Sequence, residues 1–180
     1  FGSWSTPLVL RVGQRDELVF PLPGDRVGGD GEFKGYDPAT GKELWRCQGL
    51  GTEIYAMPVV SPKGDVIVGI SGHNGPLVAV RPGGNGDVTA THRLWHEPRN
   101  KGTIGSGVIK DGHLYLISSG GIAQCVELQT GKEVWSERLT GSGAKSESWS
   151  SMVLAGDRLY VLNQGGDTTD SDANPTNGMT

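Results

Sequence analysis

The chain has 180 residues, of which 30 are glycine and 20% are charged, and its formal net charge is −4. One glycine in six residues, against an average of about 7%, favours a fold made of turns and short strands. No basic stripe is present, which argues against a nucleic-acid partner, and no apolar run approaches the roughly 18 residues of a membrane span.

The two cysteines and the first residue of the chain limit the possible metal sites, disulfides and start position. Cys47 and Cys125 are 78 residues apart, which fits neither a metal cluster nor a disulfide framework. We expect two small buried side chains, with a long-range disulfide as the alternative. No signal peptide is visible, and the chain begins at Phe1 inside a predicted strand, so we expect the natural start to lie upstream.

Pairs of short apolar runs recur four times at a nearly fixed interval. The first run of each pair contains Val9, Val60, Ile109 or Leu154, and the second contains Leu18, Val66, Leu114 or Leu159. Within the second set the separations are 48, 48 and 45 residues. The runs are short and end in Gly-Asp or Asp-Gly, which are hairpin turn dipeptides, whereas a helical repeat would show a period of about 3.6 residues over longer runs.

Two further strands follow in the units, at 33–37 and 43–47 in the first and at 122–128 and 133–139 in the third. Four short antiparallel strands every 40 to 50 residues are typical of β-propeller blades. A sandwich would not explain the fixed period, and an up-and-down barrel would be punctuated less regularly. We therefore predict an all-β partial propeller over residues 1–164, with blades at about 3–49, 54–97 and 103–140 and a half blade at about 148–164.

A motif recurs between the third and fourth strands. In the first unit it places Asp37 before a Thr40-Gly41 turn and Trp45 after it; in the third unit Glu127, Thr130, Gly131 and Trp135 take the same positions. We expect the acid to accept hydrogen bonds from the turn, and the Trp to cover the seam to the next blade. The second unit keeps only Trp95, after an insertion at 82–91 that is predicted to be a longer hairpin loop.

This motif resembles the tryptophan-docking motif of pyrroloquinoline-quinone-type (PQQ-type) eight-bladed propellers, Ala-x-Asp-x-x-Thr-Gly-Lys-x-x-Trp. Gly35 and Cys125 replace the Ala, and residues 79–81 stand in for Ala-x-Asp in the second unit. The resemblance covers residues 3–164 and is closest to uncharacterised secreted bacterial members. It implies a periplasmic or secreted location. Because eight blades need roughly twice this length, we expect a partial chain or self-association through the open half-blade edge, with a closed four-bladed ring as the alternative.

The dehydrogenases of this family hold PQQ beneath two adjacent cysteines, with Ca²⁺ at the quinone. This chain has no adjacent cysteines. The resemblance therefore implies no cofactor here, with PQQ and Ca²⁺ as the alternative. Trp4 and Trp149, at equivalent positions before the first strands of their blades, are predicted to pack between blades, with a channel-facing role as the alternative.

Histidines provide the candidate ligand contacts. His92 and His96 are four residues apart and would share one face of a strand. No third metal ligand is evident, so a solvated pair is favoured over a zinc site. His73 lies in a turn at 71–75, and turns at 118–121 and 163–166 occupy the matching positions. The small, polar turns fit the backbone geometry of the repeat first, and a contact of His73 with a ligand at the propeller rim is the alternative.

The last sixteen residues, 165–180, are polar and acidic. Asp170, Asp172 and Asn174 have the first three spacings of a Ca²⁺ loop, but Pro175 stands where Gly is required and no Glu closes the loop. With almost no apolar residues to bury, this tail is predicted to be disordered or truncated.

These observations favour a non-catalytic binding or scaffold module that contacts a protein or a small ligand through its rim loops. No catalytic residue is predicted. A fragment of a PQQ-dependent dehydrogenase and the sensor ectodomain of a kinase-type receptor are the alternatives.

Overall fold

The computed structural model describes residues 2–25, 31–139 and 147–176. The strands before and in the first blade are β1 (Gly2–Ser3), β2 (Leu8–Val12), β3 (Arg15–Leu22), β4 (Gly31–Tyr36) and β5 (Glu43–Leu50). The second blade region holds β6 (Glu53–Ile54), β7 (Val59–Val60), β8 (Ile67–Ile70), β9 (Leu77–Val80), β10 (Gly86–Asp87), helix α1 (Thr89–His92) and β11 (Arg93–Glu97). The third holds β12 (Val108–Lys110), β13 (His113–Ile117), β14 (Ile122–Glu127) and β15 (Glu133–Arg138), and the fourth β16 (Val153–Ala155), β17 (Arg158–Leu162) and β18 (Thr168–Asp172).

Each blade is an antiparallel meander, as the repeat predicts. The sheet orders are β2-β3-β4-β5, β7-β8-β9-β11, β12-β13-β14-β15 and β16-β17-β18. A short parallel pair, β1 with β6, joins the start of the chain to the entry of the second blade. The described residues contain no helix with the length and apolar character needed to cross a membrane. The all-β partial propeller is thus confirmed.

The core lies between the blades, because alternate side chains of a strand point to opposite faces of its sheet. In β8, Ile67 packs with Phe33 of the first blade, whereas Val68 and Ile70 pack with Leu114 of the third. A third cluster joins Tyr115 to the fourth blade. All four residues of β8 are buried, since a middle blade is covered on both faces.

Small residues lie directly opposite the three motif tryptophans on the neighbouring strand. The cross-strand pairs are Gly35 with Trp45, Ala79 with Trp95, and Cys125 with Trp135. A Cβ added to Gly35 would lie 2.3 Å from Nε1 of Trp45, so the indole occupies the space of a missing side chain. Gly35, Ala79 and Cys125 are thus all small, as is the alanine at this position of the family motif.

The predicted disordered tail is wrong for residues 168–172. They form β18, which pairs with β17 from Leu162↔Thr168 to Arg158↔Asp172. Ser171 and Ala173 supply the buried positions. The hydropathy pattern does not predict this strand, because its buried residues are small and not strongly apolar. Main-chain hydrogen bonds provide most of its pairing with β17. The fourth blade therefore has three strands among the described residues, and self-association through its edge stays a prediction.

The insertion at 82–91 is more than a hairpin loop. It contains β10, which pairs in parallel with β5 of the first blade, and the helical turn α1. Asp87 accepts a hydrogen bond from the Thr89 amide at 3.0 Å, and the Val88 carbonyl accepts one from the His92 amide at 2.8 Å. The predicted strand position of His92 is therefore wrong: His92 ends α1, whereas His96 lies on β11.

Substitution of Gly35 by Ala tests the packing of the first tryptophan. G35A should lower the free energy of unfolding by about 2 kcal/mol, because the new methyl group overlaps the Trp45 ring. Denaturant unfolding measures the change. Gly120 is the matched control, since a Cβ there would have no atom closer than 3.8 Å. G120A should change stability by less than about 0.5 kcal/mol, and equal effects of the two substitutions would refute the packing.

The two thiols should react slowly with Ellman's reagent in the native protein. Both are free and buried, and burial raises the pKa of Cys47 and of Cys125 to about 11. At about pH 8 few thiolates are present at such sites. Denaturant should release two fast-reacting thiols. Fast labelling before unfolding, or fewer than two thiols after it, would contradict this arrangement.

Candidate functional site

The motif turns have closely similar geometry in the first and third blades. Gly41 and Gly131 have φ values of 72° and 73°, a left-handed conformation that glycine adopts without strain. Asp37 accepts a hydrogen bond from the Ala39 amide at 2.8 Å, and this bond lowers the pKa of Asp37. Glu127 instead accepts one from the Thr130 hydroxyl at 2.6 Å. Thr40 and Thr130 both accept from the amide two residues later.

At the first seam, Trp45 is fully buried and its Nε1 donates to Glu17 at 2.6 Å. Glu17 is also completely buried and is neutralised by Arg15 at 2.7 Å. Arg15 in turn donates to the Gly84 carbonyl of the insertion, 3.0 Å away. The insertion of the second blade therefore covers the tryptophan of the first. Neither the carboxylate nor the covering strand β10 followed from the sequence pattern.

At the second seam, Trp95 lies on the motif turn of the third blade. A Cβ on Gly131 would be 2.7 Å from the indole, and the Trp95 Nε1 donates to the Leu128 carbonyl at 2.8 Å. At the third seam Trp135 packs beside Tyr115, at 6.2 Å between ring centroids. Its buried Nε1 has no hydrogen-bond partner among the described residues. A docking role for all three tryptophans stays a prediction.

One rim of the propeller carries aromatic side chains at equivalent positions before the first strands. We call this the aromatic rim; its members are Trp4, Tyr55 and Trp149. Trp4 stacks on Tyr55 with ring centroids 4.9 Å apart and planes within 8°. Trp4 nevertheless leaves 64% of its surface exposed, and Trp149 leaves 63%. The prediction of packing between blades is thus met in part by Trp4, whereas Trp149 is mainly exposed.

His73 lies on this rim next to Tyr55. Its Nε2 is 3.2 Å from the Tyr55 hydroxyl and 3.6 Å from a carboxylate oxygen of Glu53. The rings of Tyr55 and His73 meet edge to face. His73 and Asn74 both have positive φ, at 49° and 64°, in a turn closed by the Gly75 amide and the Gly72 carbonyl. This turn presents His73 to solvent with 62% of its side chain exposed.

A cleft of about 570 Å³ opens beside His73, between the outer edge of the first blade and the second blade. We call it the interblade cleft. Its walls are residues 48–53, which end β5 and lead into β6, the turn at 72–76, and Arg93, His96, Pro98 and Arg99. The cleft joins polar groups from three separate segments. It is thus the site where side chains distant in sequence come together.

The weak calcium candidates are placed on a strand. Asp170 and Asp172 lie on β18, where the guanidinium of Arg158 contacts both carboxylates. Asn174 accepts hydrogen bonds from Thr176 at 2.9 and 2.7 Å. Within residues 2–25, 31–139 and 147–176, no three His, Cys, Asp or Glu side chains lie close enough together to hold a metal ion.

The described residues do not fit a quinone and its cation. Cys47 and Cys125 are buried in different sheets, so they cannot form the adjacent pair that covers the cofactor. The described part of the chain also lacks a clustered set of acidic or histidine ligands beside Trp4 or Trp149. Quinone chemistry is therefore not assigned to any described residue.

Sequence reasoning missed most of this site. Tyr55 could have been found, because it precedes Pro58 by three residues as Trp4 precedes Pro7. Glu53, Arg93 and Arg99 carry no such signal, since the cleft joins them only through the packing of two blades.

Comparisons with solved structures show the same fold at low identity. BamB from Moraxella catarrhalis matches with a TM-score of 0.55 and 11% identity, over 96% of this chain and 59% of that chain. The computationally designed Ika8 protein matches with a TM-score of 0.62 and 14% identity, over 91% of this chain and 44% of that one. The chain thus spans about half the length of these two structures.

No curated protein has a significant sequence match to the chain. A family model does match, over residues 29–178, and its description is outer membrane protein assembly factor BamB. The matched region includes all three motif tryptophans and the interblade cleft. The chain therefore belongs to the PQQ-type β-propeller family that this BamB model describes.

Proposed function

We propose that this chain is a non-catalytic scaffold or binding module that holds a protein partner at the aromatic rim. The observation that carries the proposal is the Trp4–Tyr55–His73 cluster, in which Trp4 and His73 are mainly exposed yet both are held by contacts with the Tyr55 ring. Exposed tryptophan and tyrosine side chains are frequent energetic centres of protein interfaces, since they bury much area at little entropic cost.

Contacts within the chain hold Trp4 and Tyr55 in position. Trp4 is held by Tyr55 on one side and by its own amide, which donates to the Ile54 carbonyl at 2.8 Å. Tyr55 in turn lies against Gly72, where a Cβ would come within 2.5 Å of its ring. A surface that is already fixed loses little conformational entropy on association, which favours binding.

The family supports the same proposal. The matching model and one similar structure carry the name of an assembly factor of the outer membrane, which is a scaffold description rather than a catalytic one. A periplasmic or secreted location goes with this assignment. No cofactor is part of the proposal.

Site-specific photo-crosslinking tests the proposal in the cells that produce the protein. Benzoylphenylalanine placed singly at Trp4 and at His73 should crosslink to the same protein, because both positions face solvent on one rim. The control position is Val134, which is also exposed but lies on the outer strand of the third blade. Mass spectrometry identifies the captured chain, and W4A should abolish capture from position 73.

Two outcomes would contradict the proposal. One is the same capture pattern at Val134 as at Trp4. The other is a quinone absorbance that co-elutes with the protein after incubation with PQQ and Ca²⁺, together with dye reduction by alcohols or sugars, which would favour the dehydrogenase alternative.

A further inference from the structure

We propose that the interblade cleft is an anion subsite that receives an acidic side chain, Asp or Glu, of the protein partner. This inference rests on the proposed function and specifies the chemistry of the partner. The cleft borders His73, so a chain that covers the aromatic rim would extend directly into it.

Unpaired donors line the cleft. Among the described residues, Arg99 makes one hydrogen bond, from its backbone amide to Glu97, and its guanidinium has no partner. The His96 imidazole also has no hydrogen-bond partner among the described residues. Arg93 uses one guanidinium nitrogen to donate to the Gln48 carbonyl at 3.2 Å. Guanidinium groups bind carboxylates through paired, charge-assisted hydrogen bonds, so these groups suit an acidic ligand.

Gly49 brings two of these donors together. Its φ is 130°, and a Cβ built on it would lie 3.2 Å from a guanidinium nitrogen of Arg93 and 3.4 Å from the His96 ring. A Cβ there would crowd the Arg93 guanidinium and would touch the His96 ring at van der Waals distance. The absence of a side chain at Gly49 therefore gives the floor of the cleft its two neighbouring basic groups.

The charge balance of the lining favours an anion. Arg93 and Arg99 are the permanent cations, and Glu53 is the one carboxylate among the lining residues. Glu53 lies beside His73, so it is directed to the rim end of the cleft. The protein as a whole is acidic, at −4, which makes this local excess of positive charge a distinct feature of its surface.

The backbone is strained in the turn that borders the cleft at His73. His73 and Asn74 occupy consecutive left-handed conformations, which residues other than glycine and asparagine seldom adopt. Such strain is often found where a side chain must be held in position for binding. Here it places His73 between the aromatic stack and the cleft.

The test is a two-dimensional NMR titration of the ¹⁵N-labelled protein with a short peptide of alternating Glu and Gly. Amide shifts should change at residues 48–53, 72–76 and 93–99, and should be absent with the matched Gln-Gly peptide. R99Q should weaken the apparent affinity about fivefold, as expected for one partly exposed ion pair. The matched control is R11Q, which removes the same charge from an exposed pair with Asp16 outside the cleft; it should leave the affinity unchanged.

Four results would overturn the inference, and the first three are no shifts at the cleft, equal shifts with the Gln peptide, and equal losses in R99Q and R11Q. Inorganic phosphate is the third titrant. Tighter binding of phosphate than of the Glu peptide would assign the cleft to free anions and also overturn it. Whichever of these results is obtained, the crosslinking experiment at Trp4 tests the proposed function separately. Crosslinking at Trp4 does not depend on the charge of the partner.

Discussion

The constraint on which this structure depends is that a single blade cannot bury its own sheet. Each face must be covered by a neighbour, and the seams are closed by the buried clusters that join consecutive blades. At the second seam one indole spans the gap: Trp95 sits over Gly131 and donates to the Leu128 carbonyl. The Trp95 side chain thus both buries apolar surface and satisfies its N–H group with a hydrogen bond.

Packing of the first blade against the second also brings together the residues of the interblade cleft. Closing the first seam brings the end of β5 against the second blade, where Gly49 lies close to Val78 as well as to Arg93. The insertion strengthens this seam because β10 adds a strand beside β5 and Gly84 accepts a hydrogen bond from Arg15. The interblade cleft and the Trp4–Tyr55 stack are consequences of this packing, since their residues come from the start of the chain, the first blade and the second blade.

Much of the fold could be predicted from the sequence, because the repeat interval and the Thr-Gly turns are local signals. The strands around Trp45 and Trp135 follow from them directly. Strand β18 could not, since Ser171 fills a core position that hydropathy does not mark. Nor could the pairing of β10 with another blade, which is a long-range contact. Of the candidate site, His73 was a candidate contact from its turn, whereas Arg99 and Glu53 become neighbours of it only in three dimensions.

We propose that the indoles at the seams hold the blades together, whereas those on the rim are free for a partner. The direct measurement is the free energy of unfolding of W95A beside that of W149A. The account predicts a loss of about 3 kcal/mol for W95A, because a packed ring and its hydrogen bond are removed, and a change below about 0.5 kcal/mol for the exposed Trp149. Equal losses, or a larger loss for W149A, would contradict it.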